Sequence, residues 1–245
     1  MAEDEILDIF DSEGKPLGTA SRRDVHQRGL WHRSFHCWIL LLSTTGEKHI
    51  VFQRRGPFKK DWPSYLDISA AGHYVTGEGE EGGVRELAEE LGIKVPPEQL
   101  QKQGIRTIDE LLYNGTINRE FQDIYFLRYQ IDLSDYVLRY PEVAGVFHLR
   151  IADARDLLSE RCDSILAEGV AINPEDGKMV RKQWVVTKQD FIPNALGYLR
   201  LVLKMADCFL DGDQKYSTLF GDRKLETVPL VLSNGSFWQP VKEEG

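Results

Sequence analysis

The sequence predicts an α/β domain in which helices pack on both sides of a mixed sheet. Three observations support it. Residues 35–42 form a nearly continuous apolar run, as in a central strand buried on both faces. Residues 66–71 read as extended chain leading straight into Gly72, and residues 81–91 then read as a helix that Gly92 stops. Further strand and helix candidates follow, in an order that fits a layered sheet.

The elements are justified in turn. Residues 6–10 read as a strand entering a turn at Asp11, Ser12, Glu13 and Gly14, with a second strand near Leu17. Ser21 heads the polar segment 21–28 as a helix cap. Residues 49–54 read as the neighbour of the central strand, across a turn that contains Gly46. Residues 56–64, with Pro57, Trp62 and Pro63, form a loop. After the helix, Pro96 and Pro97 prevent continuation. Strands are expected at 105–112, 119–130 and 143–149, and a helix at 152–161. In the second of these strands, Phe121, Asp123, Tyr125 and Leu127 alternate with Gln122, Ile124 and Phe126, which leaves the face assignment mixed. Residues 162–183 read as irregular, with a turn at Asn173, Pro174 and Gly177. Thr187 reads as the cap of a long helix from about residue 190 to residue 210. Residues 1–210 are therefore expected as one domain with an N-terminal hairpin extension and a C-terminal helix, and residues 211–245 as a polar tail.

At 245 residues, 42% hydrophobic and 28% charged, the chain has the composition of a soluble globular protein with an ordinary core. Its net charge of −9 argues against a general nucleic-acid binder. Cys37, Cys162 and Cys208 are far apart and lack metal-ligand spacing, so no disulfide framework is expected. The N-terminus shows no hydrophobic leader, and no apolar run approaches the roughly 20 residues of a membrane span. A cytoplasmic protein without membrane contact is the expectation.

The chemistry concentrates on the helix 81–91. Glu86, Glu89 and Glu90 fall at i, i+3 and i+4 and share one face. Such carboxylates repel one another, by roughly a few tenths of a kcal/mol per pair. A divalent cation turns that repulsion into a site, and hard oxygen ligands suit Mg2+ or Mn2+. A solvated acidic face explains most charge clusters. Here the cluster sits inside a larger pattern that includes a glycine turn, an arginine and a helix-ending glycine.

The segment from Gly72 to Glu78, followed by Arg85-Glu86-Leu87-Ala88-Glu89-Glu90-Leu91-Gly92-Ile93, resembles the signature of the Nudix hydrolases. That signature is a glycine, five residues, a glutamate, seven residues, then Arg-Glu-aliphatic-x-Glu-Glu-x-Gly-aliphatic. The half beginning at Arg85 matches in full. The linker 79–84 has six residues, a departure that bears on Glu78 and not on the helix. The resemblance covers about residues 4–160 and implies an α/β/α sandwich. It implies that Glu86, Glu89 and Glu90 hold divalent metal, that Glu89 or Glu90 is the general base, and that Arg85 anchors the helix by pairing with a carboxylate. The partner it implies is a small-molecule diphosphate.

Other candidates lie outside the signature. Glu120 opens a strand and is a further metal-ligand candidate, since many Nudix enzymes add a carboxylate from elsewhere; an ordinary strand-edge glutamate is the alternative. Asp123 is a weaker one. Arg54 and Arg55 end a strand, and their forked guanidinium groups suit phosphate oxygens; surface charge is the alternative.

Residues 30–38 and 62–73 also resemble the isopentenyl-diphosphate isomerases and isomerase-like proteins of the same superfamily. In those isomerases two histidines before a strand, one after the glycine turn and two glutamates from a later strand bind a metal. The matching set here is His26, His32, His73, Asn118 and Glu120, so one carboxylate is missing. His26 and His36 read as hydrogen-bonded loop residues and His73 as a substrate contact. The isomerase's catalytic cysteine precedes the glycine, where this chain has Ala71, which disfavours isomerisation. The leading expectation is a Mg-dependent diphosphate hydrolase. Isomerisation or hydrolysis of prenyl diphosphates and a non-catalytic nucleotide sensor are the rivals. Trp31, Trp38 and Trp62 line an apolar pocket on the prenyl reading and pack in the core otherwise. The tail leaves a homodimer open.

Overall fold

The computed structural model describes residues 4–79, 81–111 and 116–213, so the expected tail lies almost wholly outside the described residues. The hairpin comes first, with β1 (Ile6–Phe10) antiparallel to β2 (Pro16–Ser21). Ser21 then caps α1 (Arg22–Arg28), its hydroxyl accepting the Asp24 N–H at 3.2 Å.

β3 (Trp31–Leu42) is the axis of the sheet. Along one edge it runs parallel to β8 (Ile117–Arg128), from His32 to Leu40. Along the other it takes three antiparallel partners in succession, the first being β1 opposite Trp31 and His32. β6 (Ala70–His73) lies opposite residues 34–37, and β4 (Lys48–Arg55) opposite residues 40–42. β5 (Leu66–Asp67) and β9 (Val143–Arg150) pair with β4, and β7 (Gln101–Leu111) pairs with β8. β10 (Ser164–Ile172) and β11 (Met179–Thr187) extend the far edge.

The apolar run of β3 follows from its position between two cores. Phe35, Cys37 and Ile39 pack with Leu87 and Leu91 of α2 (Glu81–Leu91). Trp38 and Leu40 pack on the opposite face with Leu157 of α3 (Ile151–Leu158) and with Val202 and Leu203 of α4 (Leu196–Leu210). The result is the expected α/β/α sandwich with a mixed sheet. α2 stops as expected at Gly92, whose φ of +75° closes the helix while the Ile93 N–H reaches back to the Leu87 carbonyl.

Two expectations are corrected. Residues 162–183 are not irregular, because β10 and β11 form a long hairpin about the turn at 173–177. Its alternation is blurred by apolar side chains on the solvent side, Leu166, Val180 and Val185. Gly169 sits in its buried middle, where a Cβ would lie 2.0 Å from the Val146 carbonyl oxygen. The last helix also begins later than expected. Thr187 caps only a 3-10 turn, Lys188–Asp190, and α4 starts at Leu196. Pro193 accounts for the delay, because it keeps Ile192 out of helical backbone, at φ −58° and ψ 119°.

Candidate active site and metal centre

Alternation along three neighbouring strands builds the floor of a cavity. On β3, His32, Ser34 and His36 project to the face opposite Phe35 and Cys37. Strand register sets Glu120 of β8 beside His32, and Gln122 beside Ser34. On β7, Arg106 lies opposite Gln122, and Ile108 opposite Glu120. Ser34, His36, Glu120, Gln122 and Arg106 all line a cavity of about 370 Å³. The mixed pattern of β8 is thereby explained: Glu120 and Gln122 face the cavity, and Ile124 and Phe126 continue that face into the core.

Glu86, Glu89 and Glu90 of α2 line the same cavity. Gly72 makes room for the first, since a Cβ there would lie 2.1 Å from the Glu86 carboxyl carbon. Glu90 is only 4% exposed, and its carboxylate accepts the Ala71 N–H at 3.3 Å. Burial pushes the Glu90 carboxyl up to about 8, with repulsion from Glu86 and Glu142 adding to it. Burial likewise pushes Glu86 up to about 7, helped by Glu89 and Glu142 and opposed by Arg85. Carboxylates that hold protons for want of a counter-charge fit a divalent cation.

Arg85 has the structural role expected of it. It binds Glu78 through two hydrogen bonds of 2.9 and 3.2 Å and lies 3.0 Å from Glu86. Glu78 also accepts the Val75 N–H at 2.9 Å. The residue put in question by the short linker is thus the carboxylate that pins α2 to the turn.

Glu120 stands apart from the α2 carboxylates and joins the histidines. Its Oε1 lies 3.7 Å from His32 Nε2 and 3.9 Å from His73 Nε2. The ligand atoms of His26, His32 and His73 all fall within 4.8 Å of one another. His26 Nδ1 sits 2.8 Å from the Arg22 carbonyl oxygen, and His32 Nδ1 3.0 Å from that of Leu30. Each carbonyl accepts a hydrogen bond from Nδ1–H, the tautomer in which Nε2 carries the lone pair of a neutral imidazole. His32 Nε2 and both ring nitrogens of His73 are buried without a hydrogen-bond partner. Burial lowers the His32 and His73 imidazoles. It opposes ionisation of Glu120, but His32, His73, His36 and the Gln122 amide hold that carboxyl well below its usual range. Three imidazoles, two of them oriented by backbone carbonyls, and one carboxylate fit a borderline transition ion. Asn118 Oδ1, also buried without a partner, lies where the isomerases carry their second glutamate. His26 makes a hydrogen bond as expected, but from helix α1 and not from a loop, and it is also the third member of this cluster. The signal was present in its position, but only the fold brings α1, β3 and β6 together. His36 is separate from the cluster and buried, with its imidazole lowered to about 4 by burial.

The two expected phosphate contacts divide. Arg55 lines the cavity, donating to Asp67 at 2.6 Å and to the Asp61 carbonyl. Arg54 does not. Its guanidinium covers the Trp184 ring at 4.7 Å, because successive strand residues point to opposite faces. Asp123 is likewise turned away and held by Arg33 at 2.7 Å and Lys102 at 3.0 Å. Of the tryptophans, Trp62 lines the cavity, Trp38 lies in the core and Trp31 stacks on Phe121.

Three relatives place this geometry in context. The chain is 40% identical over 204 residues to an uncharacterised Nudix hydrolase of Clostridium acetobutylicum, covering 82% of this chain and 97% of that protein. It is 33% identical over 184 residues to Nudix hydrolase 3 of Arabidopsis thaliana, covering 73% of this chain but 23% of that longer protein. It is 26% identical over 161 residues to isopentenyl-diphosphate Delta-isomerase 2 of Photorhabdus laumondii, covering 65% of this chain and 85% of that one. A crystal structure from Deinococcus radiodurans aligns over 64% of this chain and 90% of its own, with a TM-score of 0.47 and 20% identity. No family model matches the chain.

Proposed function

The chain belongs to the Nudix hydrolases, and we propose that it is a divalent-metal-dependent pyrophosphohydrolase of a diphosphate linked to another moiety. The observation that carries this reading is the acidic face of α2, turned into the cavity with partly buried Glu86 beside buried Glu90. A bound divalent cation supplies Lewis-acid polarisation of a phosphoryl oxygen and an acidified water. The chain's own residues do the rest. Glu86, Glu89 and Glu90 hold that charge in place, and Arg85 fixes the helix that carries them. Arg55 and Lys59 line the same wall, each already paired with a carboxylate of the chain, Asp67 and Glu142. Glu89, half-exposed and held by Arg139 at 2.6 Å, and Glu90, buried, are the two carboxylates available as general base. The test is a screen of nucleoside, sugar and prenyl diphosphates with Mg2+ or Mn2+, read by phosphate release. Turnover of at least one class is expected; binding with no turnover on any would leave only a ligand sensor.

The histidine cluster supports a second reading, isomerisation of a prenyl diphosphate. Ala71 stands against it, since it offers neither acid nor base to the cavity. Cys37, opposite Ala70 in register, does not replace the thiol: it faces the α2 core, where burial pushes it far up. Incubation with isopentenyl diphosphate is expected to give no dimethylallyl diphosphate; its formation would reverse the assignment.

A further inference from the structure

Arg106 differs from every other cation in the cavity. Six cationic side chains line it among the described residues: Arg22, Arg55, Lys59, Arg85, Arg106 and Arg139. Five are committed to carboxylates of the chain. Arg22 pairs with Glu5, Arg55 with Asp67, Lys59 with Glu142, Arg85 with Glu78 and Glu86, and Arg139 with Glu89. Arg106 has no carboxylate within 4 Å among the described residues, and its one side-chain hydrogen bond runs from Nη1 to Gln122 Oε1 at 2.9 Å.

The group is nevertheless held rigidly. One face of the guanidinium lies over the Tyr198 ring at 4.3 Å. Tyr198 is itself fixed, its hydroxyl accepting the Trp38 indole N–H at 2.9 Å. The amide of Gln122 is oriented by donating to Glu120 Oε2 at 2.7 Å, and Ser34 donates to that same oxygen at 2.9 Å. The remaining edge of the guanidinium, Nε and Nη2, is left with its N–H donors available to the cavity. A fork fixed on one face and one corner is preorganised for a planar, bidentate anion.

Register also gives the distance. His73, Ser34, Gln122 and Arg106 stand opposite one another in a single row across β6, β3, β8 and β7. Three strand spacings put the Arg106 backbone roughly 14 Å from that of His73, which follows the turn glycine facing α2. A ligand that reached from α2 to Arg106 would have to span a distance of that order.

We propose that Arg106 is a specificity-determining residue that binds a second anionic group, a phosphate or carboxylate, on the moiety attached to the diphosphate. The inference rests on the hydrolase reading above and narrows its substrate class. The exposed donor edge favours an anion over an apolar chain such as a prenyl tail, which would bury those donors without acceptors.

The experiment compares matched nucleoside diphosphate esters that differ only in carrying a further phosphomonoester, a carboxylate, or neither. Wild-type enzyme with Mg2+ is expected to prefer one of the charged esters in kcat/KM by about tenfold or more, mainly through KM. The phosphate and carboxylate arms identify which anion is read. Arg106→Met is expected to collapse that ratio, and Arg106→Lys to keep part of it. Metal content and thermal midpoint are followed in both variants, because an arginine acting only as a prop for Gln122 and Glu120 would lower turnover of all the esters alike. A wild-type enzyme without preference, or a ratio that survives Arg106→Met, would overturn the proposal. Failure of wild type to hydrolyse any ester would instead remove the hydrolase reading beneath it.

Discussion

The buried carboxylate of Glu90 accepts the backbone N–H of Ala71, 3.3 Å away, so the acidic face of α2 is fastened to the strand residue that precedes the turn glycine. This contact ties the helix to β6 and partly offsets the effect of burial on the Glu90 carboxyl. The first consequences concern the α2 carboxylates.

Glu89→Gln and Glu90→Gln each remove a charge from the cavity without changing shape. Loss of turnover by about two orders of magnitude is expected in each, the scale of a positioned base or charge stabiliser. Steady-state kinetics with saturating Mg2+ checks it. Full activity in either variant excludes that residue from the mechanism.

Raised carboxyls also tie stability to pH. Glu86 and Glu90 hold protons up to about 7 and about 8 in the folded chain, against 4.5 for an unperturbed glutamate. These carboxyls give the folded state extra protons, whereas the lowered imidazoles of His32, His36 and His73 take protons from it below 6.5; above 6.5 the carboxyls prevail, so stability of the metal-free protein falls as pH rises from 6.5 toward 8. Mg2+ displaces those protons and should flatten the slope. Urea unfolding in chelator and in Mg2+ across this range measures both effects; a metal-free stability that is level or rising would contradict the assignment.

Gly72→Ala places a methyl group against the Glu86 carboxyl carbon. Because the obstructed atoms end a flexible side chain, Glu86 is displaced and the backbone is spared. A modest stability loss of about 1 kcal/mol is expected, the low end for overpacking, together with a larger loss of Mg2+ affinity by calorimetry. Unaltered Mg2+ binding would show that Glu86 needs no such space.

His73→Ala should abolish binding of Zn2+ or Mn2+ at the histidine cluster while leaving Mg2+ binding at α2 detectable. Equilibrium dialysis with metal analysis separates the two. Equal Zn2+ content in His73→Ala and wild type would mean that the three imidazoles are simply packed together.

The acidic helix was readable because its carboxylates are local. Glu86, Glu89 and Glu90 are brought together by one turn of helix, and a resemblance in consecutive residues suffices to find them. Arg106, Gln122 and Glu120 share a face only through pairing of β7, β8 and β3, which no short window contains. Arg54 and Arg55 look alike in the sequence, and strand alternation separates them. The β10–β11 hairpin escaped for a related reason: an edge hairpin that tolerates Leu166 and Val185 in solvent lacks the two-residue period that identifies strands.

The row of residues across β6, β3, β8 and β7 makes the site as fragile as the strand register itself. Slipping β8 by one residue would bring Phe121 and Asp123 to the cavity and send Glu120 and Gln122 into the α2 core. The cavity would be turned inside out with every strand intact. An insertion or deletion within these strands would dismantle the site, whereas the one-residue difference between Glu78 and Arg85 falls where the ion pair still closes across it.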